Sequence, residues 1–169
     1  MKQCSNETMK TGFTLIELLT VTAIVIFMTV LTLPNFVAGA KDYALQRSSH
    51  KLAQDLRKAQ EMAVASQEFK GKAVPGGYGL YLQNNSNVYV LFADTNSNKM
   101  YDGPAEEVES LGVERGVNIG FLSPLYYLTV VFVPPNPITV ITPDASWAVI
   151  TLNGKKNVRV NKAGLIEIE

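Results

Sequence analysis

The sequence predicts an α+β protein: one long N-terminal helix, then an antiparallel, β-sandwich-like domain. Three observations carry this. Residues 13–33 form an apolar run without Gly or Pro and with Glu17 as its single charge. Residues 35–68 then show an apolar stripe at helical spacing. From Gly71 onward the pattern changes to short runs of period near two, split by polar turns.

The first run is long enough to cross a hydrocarbon core of about 30 Å, which takes about 20 apolar residues. Many of its side chains are β-branched (Ile16, Val21, Ile24, Val25, Ile26, Val30 and the threonines), which disfavours a helix in water. In lipid a lone segment must satisfy its own backbone groups, and only the helix does so. A carboxylate inside such a run is costly and marks a residue with a task and a partner. A plainer account of Glu17 is its place near the helix start, where the dipole favours an anion.

Pro34 interrupts the run, but the helical pattern resumes, so a kink is expected and not a stop. Leu45, Leu52, Leu56, Ala59 and Ala63 recur at spacings of three, four and seven, with Lys41, Asp42, Gln46, Arg47, Lys51, Asp55 and Lys58 on other faces. Asp55 and Lys58 read as a surface pair along the helix. One helix from Phe13 to Ser66 would be about 80 Å long.

Gly71, Pro75, Gly76 and Gly77 break the helix. Strands are expected at 78–82, 87–93, 108–113, 117–122, 128–133, 138–141, 147–152, 157–160 and 165–168. Gln83-Asn84-Asn85-Ser86 and Asn153-Gly154 read as hairpin turns, the second being the strongest in the chain. Glu114-Arg115-Gly116 reads as a further turn, and Pro134, Pro135 and Pro137 suit an edge or crossing loop. Short antiparallel strands in this number imply two packed sheets.

The 169 residues carry a formal net charge of zero, which argues against a global field for nucleic acid or acidic substrates. After the anchor roughly 130 residues remain, enough for one domain. The one cysteine, Cys4, makes no internal disulfide. Residues 1–12 lack the apolar region of a secretory signal. Lys2 and Lys10 against Glu7 place the N-terminal side in the cytoplasm.

Gly12-Phe13-Thr14-Leu15-Ile16-Glu17-Leu18-Leu19 resembles the processing signature of type IV pilins and of the pseudopilins of type II secretion. The resemblance implies cleavage between Gly12 and Phe13 by a prepilin peptidase, which also methylates the Phe13 amino group. It implies that Glu17 neutralises the amino terminus of a neighbouring subunit, and that Pro34 bends the helix on leaving the membrane. The partners implied are that peptidase/methyltransferase, other pilin or pseudopilin subunits, an inner-membrane assembly platform and lipid. Residues 55–63 and 156–165 are similar to the H-type minor pseudopilins and T-type fimbrial proteins, which carry a β-sandwich-like domain on the second half of the helix. The resulting organisation is a leader at 1–12, a transmembrane and assembly segment at 13–34, an amphipathic continuation at 35–68 and a β domain at 69–169. The expected location is the bacterial inner membrane, single-pass with the C-terminal domain outside the cytoplasm, and then a pilus or pseudopilus.

Two further clusters carry candidate ligand groups. Asp94, Asn96, Asn98 and Asp102, with Glu106 or Glu107, place oxygens at alternate positions and are a weak calcium candidate. They lack the sixth-position Gly of an EF-hand and have Ala105 where its bidentate Glu belongs, so Asx-turns are the favoured account. Lys155, Lys156, Arg159 and Lys162 are candidate phosphate contacts, since some T-type relatives bind DNA through a basic C-terminal region. Solvated edge-strand charge is the favoured alternative, and Glu167 and Glu169 oppose a basic patch. His50 stands alone on the helix, and Trp147 is expected in the core. No catalytic arrangement or cofactor motif is present in the sequence, so a non-enzymatic role without cofactor is expected.

Overall fold

The computed structural model describes residues 12–135 and 138–169, with the side chains of 33–38 left aside. Among them α1 spans Leu15–Val64. The strands that follow are β1 (Tyr78–Gln83), β2 (Val88–Ala93), β3 (Glu107–Gly112), β4 (Ile119–Ser123), β5 (Tyr127–Val133), β6 (Ile138–Thr142), β7 (Trp147–Leu152), β8 (Lys156–Asn161) and β9 (Ile166–Ile168). The backbone is helical through position 34, so the proline does not end α1. The bend expected at Pro34 lies in the stretch 33–38 left aside and is not described. By backbone contacts the chain divides into residues 1–40 and residues 41–169.

In the second unit the described strands form two antiparallel sheets. One has the order β3-β2-β1-β5-β6, the other β4-β7-β8-β9. The helix residues of this unit lay Leu45, Leu52, Leu56, Ala59 and Ala63 into the core, all the members of the stripe read from the sequence. The same core takes Leu80, Leu91 and Val130 from the first sheet and Leu122, Ile150 and Val158 from the second. β1, β2, β5 and β7 contribute through alternate residues, because side chains point to opposite faces with period two. Antiparallel pairing and a helix on one layer give the α+β fold expected.

The turns follow their residues. Asn153 and Gly154 both have positive φ, as a type I′ turn requires, and join β7 to β8. Residues 84–87 join β1 to β2, so the expected hairpin turn begins one residue later than Gln83, which still pairs in β1. The Glu114-Arg115-Gly116 turn closes with a hydrogen bond from Val117 N to Glu114 O, but it carries the chain from one sheet to the other. The strands flanking it, β3 and β4, are not partners.

Two expectations are corrected. Trp147 is 41% exposed, because β7 turns Ala148, Ile150 and Leu152 inward and its first residue outward. Asp55 and Lys58 do not pair with each other. Asp55 accepts the Tyr89 phenol and Lys58 pairs with Glu109 on β3, at 2.7 Å. Partners on the sheet displace the neighbour along the helix.

Candidate functional site: the apolar helix start and its acid

The first unit is built on a helix apolar on all sides. The window Leu15–Thr32 has a mean hydropathy of 2.3, and none of it is buried within the chain. Phe13 is 80% exposed, and Leu15, Ile16, Leu18, Ile24, Ile26 and Phe27 are also exposed. A helix that is hydrophobic all round calls for a cover of lipid or of other helices. In length and composition it fits a membrane anchor or a signal sequence.

The threonines within this run suit that cover. Thr20 donates its hydroxyl to Glu17 O, Thr22 to Leu19 O, Thr29 to Val25 O and Thr32 to Met28 O. Each hydroxyl is spent on the preceding turn, which turns a polar side chain into one that presents mainly its methyl.

Thr14 caps the helix: its Oγ1 accepts a hydrogen bond from the Glu17 N–H at 3.3 Å. The spacing Thr14-Leu15-Ile16-Glu17 is that of a capping box, with the acid at the third helical position. The pattern stands in the sequence, at the head of the apolar run. It places the Glu17 carboxylate in the first helical turn, where the dipole favours a negative charge. Glu17 is exposed, and Gly12 has nothing within 4 Å of where a Cβ would stand. The rest of the expected leader, residues 1–11, lies outside the described residues.

The other candidate residues sit in the second unit. Asp94 follows β2 and is fully buried. Its Oδ1 accepts from Asn98 N and its Oδ2 from Lys99 N, and the Lys99 ammonium stands 3.5 Å from Oδ2. Glu106, also buried, accepts from Thr95 through Oε1 and from Asp102 N through Oε2. Asn96 and Asn98 each turn an amide nitrogen toward Asp102 Oδ2. The loop is thus a set of carboxylates receiving N–H groups, the Asx-turn arrangement. Among the described residues no group of three or more His, Cys, Asp or Glu side chains is placed to hold a metal ion.

The loop also has a packing role. Tyr101 lies over the outer face of the first sheet, with ring centroids 5.2 Å from Tyr81 and 5.5 Å from Phe92. Phe92 and Val131 are buried there, apart from the main core. The Tyr101 phenol is held above its ordinary pKa, first by burial and then by its bond to Glu107. Burial likewise raises Tyr78, whose hydroxyl reaches Gln67 O.

The four C-terminal cations do not form one free patch. Arg159 pairs with Glu169 and Lys162 with Asp144, each at 2.6 Å. Lys155 and Lys156 stand at the β7–β8 turn without an ion pair among the described residues. His50 is exposed on α1. Compared with family models, with curated proteins and with solved structures, the chain matches none of them.

Proposed function

We propose that this chain is a minor pilin or pseudopilin, a membrane-anchored structural subunit of a type II secretion pseudopilus or a type IV pilus. One observation carries the reading. The segment Gly12-Phe13-Thr14-Leu15-Ile16-Glu17 opens a helix whose first stretch, Leu15–Thr32, is apolar and has no residue buried within its own chain. The same helix continues into a β domain whose core it completes with a one-sided stripe. Such a chain is suited to bundling through its first half and displaying a domain on its second.

The mechanism is physical. A prepilin peptidase cuts between Gly12 and Phe13 and methylates the new amine. Apolar helix halves then leave lipid for a helical bundle on an inner-membrane platform. Glu17 is tolerated there because it meets the Phe13 amine of a neighbour, and a paired buried charge is far less costly than a lone one. No catalytic step and no cofactor enter this role.

The reading is tested by the intact mass of the protein purified from cells with active peptidase. The expected mass is that of residues 13–169 with one added methyl group. A mass that retains Met1 to Thr11 overturns it. Glu17→Ala should leave cleavage and membrane insertion intact and impair incorporation into filaments; wild-type incorporation would remove the proposed pairing. Gly12→Ala should slow cleavage. The neighbouring genes, whether for secretion, pilus or competence, decide which machine uses the subunit.

A further inference from the structure

The outer face of the first sheet carries an open cleft of about 390 Å³, lined by Tyr81, Gln83, Asn84, Asn85, Tyr126 and Tyr127. The register explains the grouping. Gln83 on β1 faces Tyr127 on β5, and Tyr81 stands two residues from Gln83 on the same face. The β1–β2 turn brings Asn84 and Asn85 beside them, and Asn84 N is bonded to Tyr126 O, which ties that turn to the start of β5. Tyr126 is 78% exposed.

The chemistry of the lining is narrow. It has no charged side chain, although the chain carries 15 basic and 15 acidic residues. A nucleic acid or an acidic peptide would find no counter-charge there. A purely apolar ligand would strip water from three amides without replacing their hydrogen bonds. Gln83 Nε2 donates to the Tyr81 hydroxyl. The Asn85 amide and the Tyr126 and Tyr127 hydroxyls have no intramolecular partner among the described residues. Flat phenol rings beside amides with unused donors and acceptors suit a ligand that is apolar on its ring faces and rich in hydroxyls at its edges. The volume lies at the small end of ligand pockets, about 300–1,000 Å³, and the open side lets a polymer pass through.

We infer that this cleft binds one or two residues of a neutral glycan chain, with Tyr126 as the stacking platform and Gln83, Asn84 and Asn85 as the hydroxyl contacts. The inference rests on the second unit alone and stands apart from the role of Glu17.

The test is a titration of the full chain, held in a zwitterionic detergent so that no sugar headgroup competes. The probes are neutral cello-, malto- and chito-oligosaccharides and, as a control, an acidic uronic-acid oligosaccharide. Saturable binding of at least one neutral probe is expected. Tyr126→Ala should weaken it about five- to tenfold, and Tyr126→Phe should hold it within about twofold, because the ring and not the hydroxyl supplies the stacking. An unchanged thermal midpoint in both variants, expected from the exposure of Tyr126, shows that the fold is kept. No binding of any neutral probe at millimolar concentration overturns the inference. So does binding indifferent to Tyr126→Ala, or preference for the acidic control. Self-association of the chain that Tyr126→Ala abolishes, without sugar binding, makes the cleft a protein interface and overturns it equally.

Discussion

Tyr89 on β2 donates its phenol to Asp55 Oδ2 of α1 at 2.5 Å, a partly buried bond that fastens the helix to the sheet. Leu52 and Leu56, the fully buried neighbours on either side of Asp55, fill the core beside it. Tyr89→Phe keeps the ring and removes the hydrogen bond to a charged acceptor. A loss of about 1.5–3 kcal/mol is expected. Denaturation of the detergent-solubilised chain, followed by the fluorescence of Trp147, measures it.

The same bond sets a pH dependence. Burial, then the bond to Asp55, then the charges of Asp55 and Glu109 hold the Tyr89 phenol far above its ordinary pKa of 10.0. Above about pH 10 the unfolded chain has released this proton and the folded chain has kept it, so stability falls as pH rises. The contribution is fully present below that value. In Tyr89→Phe the decline above pH 10 should be shallower than in the wild type. Equal slopes would mean that the phenol titrates normally.

Gly77 has φ of +93°, and a Cβ there would be driven into the backbone carbonyl of Phe132. Gly116 has a similar φ of +83° with open space around it. Alanine at Gly116 should cost only the left-handed backbone penalty, about 1–2 kcal/mol. Alanine at Gly77 adds a backbone clash in the first sheet and should cost more than about 3 kcal/mol or abolish cooperative unfolding. Similar losses at the two positions would show that the chain near Gly77 yields easily.

The buried stripe Leu45 to Ala63 was legible because a helix that is half wet and half docked separates its residues by period. The strand runs were legible for the same reason at period two. Trp147 departs from the core placement its size suggests, because the parity of β7 is set by Ala148, Ile150 and Leu152, which face inward. The Asp55–Lys58 pair was misread because tertiary partners 34 and 51 residues away outbid a local one. Nothing local tells that β3 and β4 belong to different sheets, since a turn such as Glu114–Gly116 serves a hairpin and a crossing equally. The candidate site was legible as a motif around Glu17. The outer-face cleft was not, because it joins residues of β1, the β1–β2 turn and the start of β5.

The helix start yields a local prediction. Thr14 Oγ1 takes one of the N–H groups that a helix leaves unsatisfied at its beginning. Thr14→Val is close in shape and removes the acceptor. It should weaken the first turn by about 0.5–2 kcal/mol. Faster hydrogen exchange at Glu17 and its neighbours in micelles would register this, with the exchange of the β domain unchanged. If exchange at Glu17 stays at the wild-type rate, water or lipid headgroups serve that N–H as well as Thr14 does.

The Asp94 loop separates turn chemistry from metal binding. Both oxygens of the buried Asp94 carboxylate receive backbone N–H groups, from Asn98 and Lys99, and the Lys99 ammonium stands beside Oδ2. In Asp94→Asn one amide position becomes a donor facing a donor, so at least one of these N–H groups loses its partner beside the buried side chain. That should cost about 2–3 kcal/mol. Tyr101 rides on this loop and covers Phe92 and Tyr81, so its near-ultraviolet circular dichroism should weaken in the same variant. If turn chemistry holds the loop, neither calcium nor a chelator shifts the thermal midpoint of the wild type. A calcium-dependent rise in that midpoint, absent from Asp94→Asn, would instead assign the loop to the metal. The reason is mass action: an ion that binds only the folded form raises its stability with concentration.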